Sequence, residues 1–296
     1  FPEKRDFFLE GANIYRFAPS SGVYPYFSRK IGLQSGNPIP ILYGGRVIGK
    51  IGKVELAAQQ VKTRQTDFNN SEDFSVIRIK QNFLKESSIG VLYTRRHTNK
   101  GNEFVPPLPD RNTLGVDLTL NTSTFLKNQN LQFQAFAVIH NPNTYDEIKN
   151  NIWDRSTRGL RFNFPNDPWS GSLSYREFGV FYDPAVGFSR RNSFRRVEPR
   201  IRFSPILEKS ALIRELKWEI SFENLMSLQW KKLTQNIRLT PLSIRFESGD
   251  EISYQIIRNY EKLLYNFNIL GDDSIIIPIG DYTNWSHQIE LETANY

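Results

Sequence analysis

The 296 residues contain no cysteine and a single methionine, which removes disulfides, thiolate metal sites and a cysteine nucleophile from consideration. Lack of cysteine suits a chain that crosses an oxidising periplasm but does not demand that route. Histidine is scarce: His97, His140 and His287 stand alone, without the His-x-x-x-His spacing of a helical metal site. Long apolar runs are missing too. A spanning helix needs roughly 20 such residues, whereas stretches such as Ala135-Phe136-Ala137-Val138-Ile139 and Ile275-Ile276-Ile277 are far shorter, and mean hydropathy is −0.48. A helical membrane protein is therefore excluded. The formal charge is +7, yet the tightest basic groups are the pairs Arg29-Lys30, Arg95-Arg96, Arg190-Arg191 and Arg195-Arg196. That is not the clustered block of a nucleic-acid arm, and no nucleic-acid partner is expected. Glycines between Gly44 and Gly52 have spacings that suggest a phosphate loop, but no Gly-Lys-Ser or Gly-Lys-Thr follows them. They read as a turn and as relief where strands bend, and no cofactor is expected.

Aromatic residues and a period of two are what the chain does have. Phe, Tyr and Trp number 22, 13 and 5 in a sequence that is polar on average, as a strand with one lipid-facing row and one wet row would require. Leu216, Trp218, Ile220 and Phe222 alternate with Lys217, Glu219 and Ser221. The same alternation runs through residues 131–135, 160–164, 200–203 and 289–292, and further β-rich runs cover 76–79, 89–93, 114–120, 173–181 and 237–246. Breakers separate them: Asn69-Asn70-Ser71, Asn99-Lys100-Gly101-Asn102, Asn141-Pro142-Asn143, Pro165-Asn166-Asp167-Pro168, Ser248-Gly249-Asp250 and Gly271-Asp272-Asp273. About a dozen strands are predicted, several near the ~10 residues that span a bilayer when tilted. Aromatics expected near turns are Tyr93, Phe104, Phe125, Trp153, Trp169, Trp230 and Trp285.

These patterns predict an all-β fold, an antiparallel transmembrane β-barrel. Residues 41–296 supply its strands, and residues 1–40, rich in Gly, Pro, Ser and aromatics, form a plug-like leading segment. Phe7, Phe8, Leu9, Tyr26 and Phe27 are expected to be buried against the barrel. The alternative is a soluble β protein that binds or acts on carbohydrate, its aromatics forming a sugar platform in place of a lipid-facing surface.

Several motifs resemble one family. They are Phe7-Phe8-Leu9-Glu10-Gly11, Tyr26-Phe27-Ser28-Arg29-Lys30-Ile31-Gly32, Gly45-Arg46-Val47-Ile48-Gly49-Lys50, Gln60-Val61-Lys62-Thr63 and Ser75-Val76-Ile77-Arg78-Ile79. Ser87-Ser88-Ile89-Gly90, Asn112-Thr113-Leu114-Gly115-Val116-Asp117, Val186-Gly187-Phe188-Ser189-Arg190-Arg191 and Phe246-Glu247-Ser248-Gly249-Asp250 follow in order. Together they resemble a domain of unknown function of Gram-negative bacteria that usually follows a module similar to family-nine carbohydrate-binding domains and is regarded as an outer-membrane barrel. The resemblance implies location in the outer membrane, with lipid bilayer and lipopolysaccharide as surroundings. It also brings a glycan and protein partners of an envelope complex into view. The carbohydrate-binding-like module is absent from these residues, so its sugar recognition does not carry over. The last strand ends near Asn295-Tyr296 where such domains continue, so a fragment lacking closing strands is expected.

The candidate site is a rim or lumen cluster formed by Arg29, Lys30, Arg190 and Arg191. In both motifs, Ser28-Arg29-Lys30 and Ser189-Arg190-Arg191, an aromatic residue comes first, Phe27 or Phe188. Catalysis is not expected. A glycosidase needs two carboxyl groups flanking one bond, and Asp110, Asp117, Glu177, Asp183 and Glu219 show no spacing that pairs them. They read as charges lining a wet interior. The predicted function is that of an outer-membrane channel, anchor or envelope-assembly component with no chemistry of its own.

Overall fold

Apolar and polar residues that alternate between turn formers give a chain that can fold back on itself strand by strand. The computed structural model describes residues 3–34, 37–67, 69–99, 107–269 and 275–294. It is all-β, with 62% strand and 6% helix. After a single helical turn, α1 (Asp6–Leu9), come β1 (Ile41–Ile51), β2 (Val54–Thr63), β3 (Glu72–Phe83), β4 (Ser87–Thr98), β5 (Arg111–Phe125) and β6 (Gln129–His140). A short α2 (Tyr145–Lys149) precedes β7 (Ser156–Pro165), β8 (Trp169–Phe178), β9 (Phe194–Phe203), β10 (Ile213–Ser227), β11 (Lys232–Phe246), β12 (Glu251–Leu263) and β13 (Gly280–Glu292). These strands form one 13-stranded antiparallel sheet whose hydrogen-bonding order is the chain order.

The predicted strand content is thus present, and closure into a barrel is not: β1 and β13 are unpaired with each other among the described residues. No described helix is long and apolar enough to cross a membrane. Two local expectations are corrected. Tyr93 lies inside β4, opposite Ile77 and Leu114, and Trp285 lies inside β13, opposite Arg258, so neither is at a turn. The run expected over 173–181 is a strand only to Phe178, though the Gly179 and Phe181 N–H groups beyond it still donate to the Ser156 and Asp154 carbonyls at 2.8 Å. Phe104 and the Gly271-Asp272-Asp273 breaker lie outside the described residues.

Pro241 shows how sequence sets register. Proline cannot donate to the ladder, and the pairing of β11 slips beside it, between Leu239 and Leu242.

The chain divides into two compact units. Unit 1 holds residues 1–122, 133–160 and 177–193, and unit 2 holds 123–132, 161–176 and 194–296. In unit 1 the hairpin connections at 52–53 and 84–86 are short, while those at the opposite strand ends, 64–71, 99–110, 141–155 and 179–193, are long. Unit 2 pairs tight turns at 126–128, 166–168 and 247–250 and a longer link at 204–212 with a turn at 228–231 and a long connection at 264–279. The leading residues belong to unit 1, where Phe8 and Ile31 pack with Val61, Phe74, Ala185 and Val186. Of the five aromatic and aliphatic side chains expected to be buried there, Phe8 is buried, Phe7, Tyr26 and Phe27 are half-buried, and Leu9 is 47% exposed because α1 turns it outward.

Candidate functional site

Directly paired residues of an antiparallel sheet project to the same face, so the register sorts unit 1 into two surfaces. One cross-strand row is Leu56, Ile79, Val91 and Val116, and the next is Ala58, Ile77, Tyr93 and Leu114. Turned the other way are Glu55, Lys80, Gly90 and Asp117, then Ala57, Arg78, Leu92 and Gly115. The apolar rows are the open ones: Leu114 is 46% exposed and Arg78 is 1% exposed. Polar side chains of the second face, among them Gln59, Thr94, Arg111, Thr113, Asp117 and Gln134, are buried. This reverses the usual placement in water, where charged side chains stay outside.

The leading residues cover that face, which also buries Val61, Phe74, Val76 and Leu92 among its polar side chains. Tyr26 accepts a hydrogen bond from the Gln59 side chain at 2.9 Å, and Arg46 donates to the carbonyls of Phe7 and Glu10 and to the Glu10 carboxylate. Deeper, residues 16–18 enter a socket. The Ala18 N–H donates to Asp117 at 3.2 Å, Arg78 donates to the Arg16 carbonyl at 3.1 Å, and the Arg78 guanidinium lies 5.6 Å from the Phe17 ring centre. Gly115 makes room for that ring: a Cβ there would be 2.8 Å from it. Glu3 fastens the start of the segment. It accepts from Arg5 and from the Ser28 hydroxyl at 2.7 Å, and these contacts hold its carboxyl down at about 2. Burial pushes the Tyr15 hydroxyl up to about 12.

A second buried network fixes the long connections of unit 1. Arg111 donates to both carboxylate oxygens of Glu147 at 2.9 and 3.2 Å, and its Nη1 lies 2.7 Å from His140 Nδ1, which also lies 2.8 Å from the Asn141 carbonyl. The His140 Nε2–H donates to the Phe181 carbonyl at 2.8 Å. Burial would raise the Glu147 carboxyl, but the hydrogen bonds from Arg111 and the Asn143 N–H outweigh it and hold it low. Thr144 caps α2 by accepting from the Glu147 N–H.

The four basic residues of the sequence-predicted cluster come from two motifs that the structure sets side by side. The Phe27 N–H donates to the Val186 carbonyl at 2.8 Å, the Phe188 N–H donates to the Tyr24 carbonyl at 3.1 Å, and the Phe27 and Phe188 rings meet edge-on at 5.0 Å. Beyond these rings Arg29 is half-buried, while Lys30, Arg190 and Arg191 are exposed. Lys30 lies within electrostatic reach of Glu72.

The carboxylates weighed for acid–base chemistry are each held by an arginine. Asp110 takes Arg95, Asp117 takes Arg78, Glu177 takes Arg158, Asp183 takes Arg111, and Glu219 takes both Arg200 and Arg202. The histidines are dispersed too: His97 contacts Asp110 at 2.6 Å, and His287 contacts the Tyr254 hydroxyl at 2.7 Å. Burial would raise the Asp110 carboxyl, but His97 and Arg95 hold it low. Among the described residues no group of three His, Asp or Glu is placed to hold a metal.

Unit 2 shows the same reversal. Leu216, Ile244, Ile252 and Leu291 form one cross-strand row, and Ile201, Ile220, Leu239 and Ile256 another. Behind them lies a ladder of charge. Glu219 binds Arg200 and Arg202 at 2.7 and 2.8 Å, Glu251 binds Lys217 and Arg245 at 2.7 and 2.8 Å, and Glu198 binds Arg176 and Arg196. On the charged side the carboxylates are sheltered, Glu219 at 15% and Glu251 at 14%, while their partners Arg200 and Arg245 are about half exposed; on the apolar side Ile201 is 55% exposed. Along β10 the apolar row from Leu216 to Phe222 is about 20 Å long at ~3.3 Å per residue.

No family model, no curated protein and no solved structure matches this chain.

Proposed function

We propose that the chain is a bacterial outer-membrane protein whose strands form the wall of an antiparallel transmembrane β-barrel, serving the envelope as an anchor or assembly component and not as a catalyst. The observation that carries this is the reversed polarity, in which Ile, Leu and Val rows are open while Arg78, Asp117, Glu219 and Glu251 are sheltered. In water an open apolar face of this extent is costly, but against lipid tails it is favourable, and the polar face then carries the interior. Short turns at one end of the strands in unit 1 and long connections at the other match the periplasmic and extracellular ends of such barrels. Packing of residues 3–34 onto the polar face of unit 1 favours an anchor over an open channel there. The resemblance to the outer-membrane domain that follows a carbohydrate-binding-like module is in keeping with this reading.

The test is reconstitution into vesicles that contain brominated lipid. Trp218 and Trp169 should be quenched, extraction should need detergent, and gel migration should change on heating. A monodisperse protein in detergent-free buffer, unquenched by brominated lipid, would overturn the membrane reading in favour of a soluble carbohydrate-binding one. Release of reducing sugar from a polysaccharide panel, abolished by Asp117→Ala, Glu177→Ala or Glu219→Ala, would overturn the non-catalytic part.

A further inference from the structure

The sheet of unit 2 ends in a strand that is paired along one side only. β13 matches β12 residue for residue from Gly280 to Glu292 without a register shift, and no strand lies along its other edge among the described residues. Alternate backbone N–H and C=O groups of β13 therefore have no sheet partner there. Edge strands that stay single are blunted by proline, lysine or a bulge. β13 contains none of these, and every side chain from Asp281 to Glu292 is exposed. The strand at the other end of the sheet is less regular: β1 holds Gly44, Gly45 and Gly49, and its pairing shifts between Ile41 and Tyr43. The unbroken ladder makes β13 the better template for an added strand.

Register defines what an added strand must carry. On the apolar face the row Leu216, Ile244, Ile252 and Leu291 stops at Leu291, which is 71% exposed, and Ile289 on the same face is 73% exposed. On the polar face one cross-strand row is Lys217, Ser243, Ser253 and Glu290, and the next is Glu215, Arg245, Glu251 and Glu292. Within these rows Glu251 takes Lys217 and Arg245, and Glu215 takes Arg245. Glu290 and Glu292 form no hydrogen bond or ion pair among the described residues. Arg245 acts on Glu292 only through its field, because its N–H groups turn to Glu251 and Glu215. Directly opposite Glu292 stands Glu251, a like charge. Residues 293–296 bring no basic side chain.

We propose that the free edge of β13 is the docking site of a partner polypeptide, which adds one antiparallel strand with lysine or arginine opposite Glu292 and Glu290 and apolar residues opposite Leu291 and Ile289. Side chains alternate between the two faces, so from the residue opposite Glu292 onward the partner reads basic, apolar, basic, apolar. Its two cations continue the alternation of sign along the polar rows. Its backbone satisfies the groups that β13 would otherwise turn toward hydrocarbon, where a lone N–H or C=O is very costly. A second copy of β13 does not fit, since it brings Asp281, Glu290 and Glu292 and no lysine or arginine. β1 does not fit either, because strands that alternate in direction leave the first and the thirteenth running the same way. The inference rests on the membrane reading above, which makes an open edge costly.

The experiment adds synthetic peptides to the full chain in phosphatidylcholine vesicles. One peptide has lysine at its first and third positions, valine at the even positions and threonine elsewhere, and its twin has glutamate in place of lysine. Amide exchange along β13 reports pairing, and brominated-lipid quenching reports insertion of the same sample. The lysine peptide should protect alternate amides of β13 and bind roughly tenfold more tightly than its twin, since two attractions become two repulsions between them. E290K/E292K should reverse that preference, and E290Q/E292Q, which keeps the shape of both side chains, should abolish it. Equal binding of the two peptides, a preference that survives E290Q/E292Q, or protection on β1 in place of β13 overturns the proposal. So does protection of β13 that grows with protein concentration in the absence of peptide, which would mark a second copy as the occupant. A chain that inserts and shows no protection with either peptide sinks this inference alone, while failure to insert sinks the membrane reading with it.

Discussion

Arg78 on β3 and Asp117 on β5 form a buried ion pair across an intervening strand, reaching each other over Gly90 of β4. Arg78 Nη2 donates to Asp117 Oδ2 at 3.0 Å and Nη1 donates to Oδ1, while the two side chains are 1% and 9% exposed. Asp117 is also the acceptor for the Ala18 N–H, so the pair joins the sheet to the leading segment. Asp117→Ala should cost ~3–5 kcal/mol, since it strands a guanidinium in a buried site. The apolar double variant Arg78→Met with Asp117→Leu should recover much of the loss. Denaturant midpoints of the three proteins in one detergent check this, and equal losses for the single and double variants would show that the stranded charge is not the cause.

Gly90 is what lets the pair meet. A Cβ at this position would lie 2.6 Å from Arg78 Nη1. Gly90→Ala should therefore destabilise by ~1–3 kcal/mol through overpacking. In an Arg78→Ala background the same change should be nearly silent, because the atom it meets is gone. The double-mutant cycle reads this directly as a coupling energy, and additive effects would refute the contact.

Much of the sheet was legible because period-two alternation is local. Leu216, Ile220 and Phe222 face Ile244, Leu239 and Ile237 as the pattern implied. The socket was not legible. Arg78 and Asp117 are distant in sequence, and only the register through β4 brings them together. A weaker signal was present: isolated glycines inside strands, Gly90 and Gly115, mark close approach of another group. Helix α2 also had a signature, Thr144-x-x-Glu147, the pattern of a capping box. The meeting of Phe27 with Phe188 depends on a long connection folding inward, which no spacing encodes.

Docking of the leading residues should loosen in acid. The Glu3 carboxyl sits at about 2 against an ordinary 4.5, so its contribution is complete above 4.5 and is lost as pH falls from there through 2. Carboxyl-carbon NMR of Glu3 should show a midpoint near the lower value. Glu3→Gln should weaken protection of the amides around Ser28 at neutral pH and remove the acid step. A midpoint at the ordinary value would show that the bonds from Arg5 and Ser28 do not persist in solution.

The two rows of β10 should respond oppositely to changes of charge. Trp218 stacks on Phe203 on the apolar face, whereas its neighbour Lys217 turns to the polar face and pairs with Glu251 at 2.7 Å. Trp218→Arg would place a guanidinium among Ile and Leu side chains, at a cost of ~2–4 kcal/mol near the bilayer midplane that falls toward its borders. Lys217→Ala removes one of several partners of Glu251, since Arg245 and the Ser243 hydroxyl still bind that carboxylate. Its cost should stay near ~1 kcal/mol or below, as for a partly solvated ion pair. Equilibrium unfolding in lipid vesicles measures both. The contrast should shrink in detergent-free aqueous solution if the protein folds there, because water tolerates an arginine at position 218. Similar losses for the two variants in lipid would mean that the Trp218 row does not face the membrane.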